Sequence, residues 1–250
     1  DVVSGGRTIL GACMGNAGME EGVRREYAAV GLDHKQRSGI FEEGLEVLRE
    51  LWTNGEVNFR GKHFDYDKVA FHSGTEPAPI LPIQQPPPMW IVSNPRMIHG
   101  VEEGDLKRNI NRASRRIARL GDGWLTCCRA KHSDELVEQL GIIATARDEE
   151  GLTMDGFSIA YQVTMNIADS EREARAGLDE YIAAYYPEMT KAGTVDLDEW
   201  GPVGTPDHIT DWLEEFSQSG VTHFVCRFGA IDQPNQVDRF ARDVLPRFRK

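Results

Sequence analysis

Five apolar runs punctuate the chain, and each is followed by a stretch whose apolar residues recur at helical spacing. Strands that alternate with helices pair in parallel and carry the helices as crossovers, so this pattern restricts the fold more than any other feature. The runs are residues 7–14 (RTILGACM), closed by Gly15, Asn16 and Gly18; 89–92, ending at Ser93-Asn94-Pro95; 124–128 (WLTCC), entered through Gly121-Asp122-Gly123; 157–167; and 221–228. The first helix to follow starts near Ser38, carries Ile40, Phe41, Leu45, Val47, Leu48, Leu51 and Trp52 on its apolar side, and stops at Asn54-Gly55. The polar stretch 96–111, with Gly100 and Gly104, reads as a loop before a helix over 113–120.

Later helix starts are marked by capping residues. Ser133 is placed to cap a helix from Asp134 with Leu136, Val137, Leu140, Ile143 and Ala144 on its core side. Ser170 with Glu173 forms a capping-box pattern. Thr205 caps and Pro206 opens a helix that buries Ile209, Trp212, Leu213 and Phe216 and ends at Gly220, and a last amphipathic helix covers 237–248. Residues 56–88 interrupt the alternation: VNF and HFDYDKVAF suggest an inserted hairpin, and the Pro-rich 77–88 must run extended. With no second compositional zone, residues 1–250 read as one α/β domain, either a doubly wound sheet or a barrel.

Composition narrows the function classes. A net charge of −12 opposes a nucleic-acid partner, although Arg112, Arg115, Arg116 and Arg119 place a local cationic stripe at helical spacing. No run of eighteen apolar residues suggests a membrane span, the opening DVVSGGR lacks a signal-peptide pattern, and a cytoplasmic location is the expectation. Cys13, Cys127, Cys128 and Cys226 have no metal-ligand spacing, and neither a metal site nor a disulfide is expected.

Four blocks, in order, resemble the bacterial luciferase-like monooxygenase family of flavin- or F420-dependent oxidoreductases. They are VVSGGRTILGACMGNAGMEEGVRREYAAVG; HKQRSGIFEEGLEVLRELW, with Arg37 and Glu43; VNFRGKHFDYDKVAF with PPPMWIVSNP and RRIARLGDGWL; and GPVGTPDHITDWLEEFSQSGVTHFVCRF through DVLPRF. The resemblance implies a (β/α)8 TIM barrel of which this chain holds strands four to eight. Strands one to three would precede Val2, making the chain either an excerpt of a longer protein or a degenerate or naturally shortened relative. Residues 7–14 and 222–228 would then be open strand edges.

Active sites of such barrels lie at the C-terminal ends of the strands. The resemblance therefore makes Cys13, Met14, Gly15 and Asn16 candidates for cofactor contact. It likewise marks Ser93, Asn94 and Pro95 as phosphate-binding candidates, Thr126 and Cys127 as ring-facing ones, and Arg227 as a residue to meet phosphate or substrate. Some relatives hold the flavin phosphate with an arginine where this chain has Met14. Arg37 and Glu43 read as structural, Trp124 as barrel packing and His99 as an exposed loop residue.

No Ser-His-Asp or paired-carboxylate motif stands out, as befits chemistry carried by a cofactor, and no catalytic residue is assigned. The resemblance implies reduced FMN with O2 acting on a small organic substrate, with a possible flavin reductase partner and a possible homodimer. Hydride transfer with coenzyme F420 is the alternative, and a non-catalytic binding or assembly subunit is another. A metal-dependent barrel hydrolase is disfavoured, because no metal ligands cluster at the strand ends.

Overall fold

The computed structural model describes residues 1–15, 21–71, 80–94, 103–127, 130, 132–187, 190 and 197–248. Asn16, Pro95, His99, Cys128 and residues 72–79 of the insertion lie outside the described residues. The strands are β1 (Leu10–Cys13), β2 (Glu56–Arg60), β3 (Asp65–Ala70), β4 (Met89–Val92), β5 (Gly123–Thr126), β6 (Ser158–Ile167), β7 (Val203–Gly204) and β8 (His223–Phe228). The helices are α1 (Glu21–Ala29), α2 (Arg37–Asn54), α3 (Glu103–Leu120), α4 (Ser133–Glu149), α5 (Glu171–Tyr185), α6 (Pro206–Gln218) and α7 (Gln233–Arg239). The architecture is α/β with parallel pairing, and it forms two compact units: residues 1–92 with 115–124, and residues 93–114 with 125–250.

The first unit holds the order β1-β4-β5, up to the midpoint of β5. β1 and β4 pair in parallel from Leu10↔Met89 to Cys13↔Val92. Met89 and Ile91 are fully buried, as expected of a parallel strand covered on both faces. The entry to β4 is pinned by Asp122. Its carboxylate accepts the Met89 N–H at 2.9 Å and takes both Arg49 guanidinium nitrogens, at 3.1 and 3.3 Å. Arg49 also donates to the Leu120 carbonyl at 3.0 Å, so one cation ties α2 to the end of α3.

The expected hairpin is present as antiparallel β2 and β3. Its turn rests on Glu43 of α2, whose carboxylate accepts the backbone N–H groups of Lys62, His63 and Phe64 at 2.9, 2.7 and 3.2 Å. Partial desolvation raises the Glu43 pKa, but the three N–H donors and nearby His63 outweigh it and hold the carboxyl below its ordinary value. A folded pKa below the unfolded one contributes stability above the unfolded value and loses it as pH falls through the folded value. Glu43→Gln should therefore speed deuterium exchange at the Lys62, His63 and Phe64 amides at neutral pH. The difference from the parent protein should vanish in acid below the folded pKa, and equal exchange at neutral pH would refute the assignment.

Two of the four arginines in the cationic stripe are ion-paired. Arg116 and Arg119 both bind Glu42 of α2, at 3.0 and 2.9 Å, so part of the stripe serves helix pairing.

The second unit holds β5-β6-β7, with β8 also on β6. β6 and β8 run parallel from Ala160↔His223 to Met165↔Phe228. Among the described residues β1 pairs with β4 alone, and β7 and β8 each pair with β6 alone. The outward face of β6 packs on α6: Tyr161 meets Phe216 edge-on at 5.3 Å, and Phe216 stacks on Trp212 at 3.8 Å. A second cluster joins Ala174, Leu178, Tyr181 and Ile182 of α5 to Trp200 and Val203. The C-terminal end of β6 is held by Gln236 of α7. Its Oε1 accepts the Ile167 N–H at 2.7 Å and its Nε2 donates to the Ile167 carbonyl at 2.9 Å.

The structure corrects several sequence expectations. α3 begins at Glu103, ten residues before the expected start, because the buried stripe Ser114, Ile117, Ala118 and Leu120 supports a long helix despite its polar N-terminal half. Ser133 is the first residue of α4, and His132 takes the cap position without a side-chain bond. On α4 the buried face includes Gln139, while Val137 is exposed; Gln139 Nε2 donates to Ser114 Oγ at 3.1 Å, which rewards a polar residue inside. The last helix begins at Gln233, capped by Asp232, and after Arg239 it widens and then tightens. Neither α1 nor the two-residue β7 was expected. The Ser170 and Thr205 caps form as read, accepting the N–H of Glu173 and His208.

Candidate functional site

In the first unit, β1 delivers Cys13 to an exposed position, followed by Met14 and Gly15. Gly15 has φ +71, and a Cβ there would stand 3.0 Å from the Tyr27 hydroxyl, so glycine suits both the backbone and the space. Tyr27 of α1 donates its hydroxyl to the Met14 carbonyl at 2.9 Å. This contact was not legible, since it joins a strand end to a helix without a marked sequence signature.

In the second unit, Ser93 follows β4, and its N–H donates to the Leu125 carbonyl at 3.1 Å. Asn94 works as a clamp. Its Oδ1 accepts the Thr126 hydroxyl at 2.9 Å and the Cys127 N–H at 2.8 Å, and its Nδ2 donates to Cys127 Sγ at 3.2 Å. Thr126 is buried and committed to this contact. Asn94, Thr126 and Cys127 thus form one hydrogen-bonded group in which Thr126 is buried and Asn94 and Cys127 are partly exposed.

Cys127 and Arg227 line one cavity of about 140 Å³, together with Tyr161, Gln162, Thr164, Tyr186, Glu199 and Trp200. It lies at the C-terminal ends of parallel strands, since Cys127 directly follows β5 and Arg227 is the penultimate residue of β8. The half-buried Arg227 donates through Nε to Thr164 Oγ1 at 2.9 Å and through Nη1 to the Tyr186 hydroxyl at 2.8 Å. Its guanidinium carbon stands 5.0 Å from the Trp200 ring centroid and 5.8 Å from that of Tyr186, within cation–π range. Among the described residues Arg227 makes no ion pair; both hydrogen-bond partners are neutral hydroxyls. Burial raises the nearby Tyr181 pKa, and the Arg227 charge opposes this without overcoming it, so that phenol stays neutral and supplies no counter-charge. The Cys226 thiol, pushed up to about 11 by burial, is an unreactive strand residue rather than a nucleophile.

Of the expected site residues, the structure brings Asn94, Thr126, Cys127 and Arg227 into one region of the second unit. Cys13, Met14 and Gly15 belong to the first. Thr164, Tyr186, Glu199 and Trp200 were missed.

Residues 1–101 match the family model described as luciferase-like monooxygenase, which places this segment in that family. Among individual relatives, the chain is 24% identical over 264 residues to the F420-dependent glucose-6-phosphate dehydrogenase of Gordonia bronchialis, covering 98% of this chain and 70% of the relative. It is 24% identical over 267 residues to the enzyme of the same name from Mycolicibacterium smegmatis, with 98% and 70% covered. Among solved structures, the coenzyme F420-dependent tetrahydromethanopterin reductase of Methanopyrus kandleri matches with a TM-score of 0.66 at 17% identity, over 99% of this chain and 76% of that one. A monooxygenase from Streptomyces bottropensis matches with a TM-score of 0.64 at 17% identity, over 90% and 66%. The fold is therefore that of the luciferase-like enzymes. No helix among the described residues is long and apolar enough to cross a membrane.

Proposed function

We propose that the protein is a cytoplasmic oxidoreductase dependent on F420, in which the cofactor carries the redox chemistry and this chain binds and orients. The observation that carries the reading is the cavity at the strand ends, where an Arg227 charge without a counter-ion among the described residues stands among aromatic rings and hydroxyls. Sites of this fold gather at those ends. The donor set fits an anionic group, which both F420 and FMN possess. Room for one such group is present, because about 140 Å³ falls well below the roughly 300 Å³ at which pockets begin to take a drug-sized ligand. The Asn94 clamp is the further group that would border the cofactor.

A bound deazaflavin supplies or accepts a hydride. Around it, Arg227 would hold negative charge, Trp200 and Tyr186 would exclude water from that charge, and Asn94 would fix the position of Cys127. Relatives named for F420 favour this reading over reduced FMN with O2, which the family name and the monooxygenase neighbour support as the second reading. A flavin reductase partner belongs to the second reading only, and a homodimer is compatible with either.

Fluorescence titration with oxidised F420 and with FMN tests the proposal. Saturable F420 binding in the micromolar range (about −8 kcal/mol) is expected, with FMN weaker. Tighter FMN binding with O2 consumption would transfer support to the second reading, and binding of neither would end both.

A further inference from the structure

We propose that an acidic groove between α5 and α7 binds a linear polyamine, a chain of ammonium groups on an aliphatic backbone. The groove belongs to the second unit and shares no lining residue with the Arg227 cavity, so the proposal goes beyond the oxidoreductase reading and does not depend on it. Two independent observations carry it.

The first is a buried acceptor without a donor. Asn166, near the C-terminal end of β6, is 3% exposed and lines the groove. Its Nδ2 donates to the Gly229 carbonyl at 2.7 Å, but among the described residues its Oδ1 accepts nothing. Such an oxygen is costly to leave unmet, and it selects a ligand that brings an N–H or O–H. Gln236, the other buried amide in the wall, spends both its ends on Ile167. Gly177 of α5 lies against the Asn166 amide, and a Cβ there would stand 2.8 Å from Nδ2.

The second is the placement of charge. Glu173, Gly177 and Glu180 fall at i, i+4 and i+7 on α5, so one helix face presents a carboxylate on each side of the glycine that meets Asn166. Asp232 adds a third carboxylate from the loop before α7. None of these three has a cationic partner among the described residues, and Arg239, the one cation in the lining, is taken by Asp169 at 2.6 Å. Nor do the carboxylates converge: among the described residues no three of His, Cys, Asp or Glu stand close enough to share a metal ion. Dispersed carboxylates with an acceptor between them match dispersed ammonium groups better than one point cation.

At about 1.5 Å of rise per residue, the separation of Glu173 and Glu180 is about 10 Å along the helix. Bonds of about 1.5 Å advance roughly 1.25 Å each in an extended chain, so about eight or nine bonds span it. That is the reach of spermidine. Its terminal ammonium groups would pair with Glu173 and Glu180, and its inner one would donate to Asn166 Oδ1. Amines of this kind carry their charge at neutral pH.

The test is calorimetric titration of the protein at low ionic strength with spermidine, butane-1,4-diamine, magnesium chloride and tetralysine. Spermidine should bind saturably at one site, at least fivefold tighter than butane-1,4-diamine, which is too short to reach both glutamates. Glu173→Gln and Glu180→Gln should each weaken spermidine at least fivefold. Gly177→Ala, whose Cβ displaces the Asn166 amide, should weaken it at least threefold. Glu214→Gln removes the same charge from α6, outside the groove, and should leave the affinity within twofold. Should Gly177→Ala fail to fold, the exposed glutamate variants keep the test decisive. Equal weakening in Glu214→Gln would reduce the effect to net charge and overturn the proposal. Spermidine binding no tighter than the diamine or magnesium would overturn it as well. Tetralysine binding tighter than spermidine would give the groove to a basic protein segment instead.

Discussion

Replacing Gly201 by alanine lowers the melting temperature by about 10 °C, at roughly 4 kcal/mol of lost stability and a few degrees per kcal/mol for a chain of this size. Gly201 has φ +144, a backbone conformation that side chains rarely adopt, and that strain alone costs on the order of 1–3 kcal/mol. A Cβ there would also overlap the Thr164 carbonyl oxygen and stand 2.5 Å from Val163 Cγ2. Both neighbours belong to the centre of β6, which is paired to β8 and cannot retreat. The preceding carbonyl, of Trp200, accepts the Thr164 N–H at 2.9 Å, so the same residue governs how the Trp200 ring sits against Arg227. Loss of cofactor binding should accompany the loss of stability. A thermal melt within 2 °C of the parent would show that the backbone here yields at little cost.

Phe216→Ala is the second large effect, about 3–5 kcal/mol measured by chemical denaturation. Phe216 is fully buried on α6, stacked on Trp212 and edge-on to Tyr161. Truncation leaves a void that two large rings cannot fill without leaving their rotamers. Tyr161 also accepts the Ala130 N–H at 3.1 Å and lines the Arg227 cavity, so the void would loosen a wall of the site. Phe216→Leu should recover more than half of the loss. A deficit below 1 kcal/mol for the alanine variant would mean that Trp212 and Tyr161 collapse together.

The strands were legible because a short apolar run bounded by Pro and Asn, as at β4, and an alternating β-branched run, as at β6, have few other readings, and both fall where the sequence put them. The Ser170 and Thr205 caps were legible because capping is local chemistry, complete within four residues. By contrast, α1 buries no residue, so it leaves no apolar stripe to detect. The site was half legible. Asn94, Cys127 and Arg227 could be picked out by position at strand ends, but their partners could not: Arg227 meets Tyr186 and Thr164 across 41 and 63 residues of chain. Trp200 looks in sequence like one aromatic in an acidic stretch, and only the turn at Gly201 brings it to the cation.

Gln236 carries a consequence for how this protein can be altered. A side-chain amide offers one acceptor and one donor at the spacing of a peptide unit. In gripping both polar groups of Ile167 it does for the end of β6 what a further strand would do. The helix therefore supplies a single rung of ladder. Exchange of the C-terminal segment for that of a relative would transplant cleanly only where the donor segment brings a primary amide to the same place. A carboxylate there would match the N–H and repel the carbonyl, so the borders of an exchangeable module lie outside the pair Ile167 and Gln236, not between them.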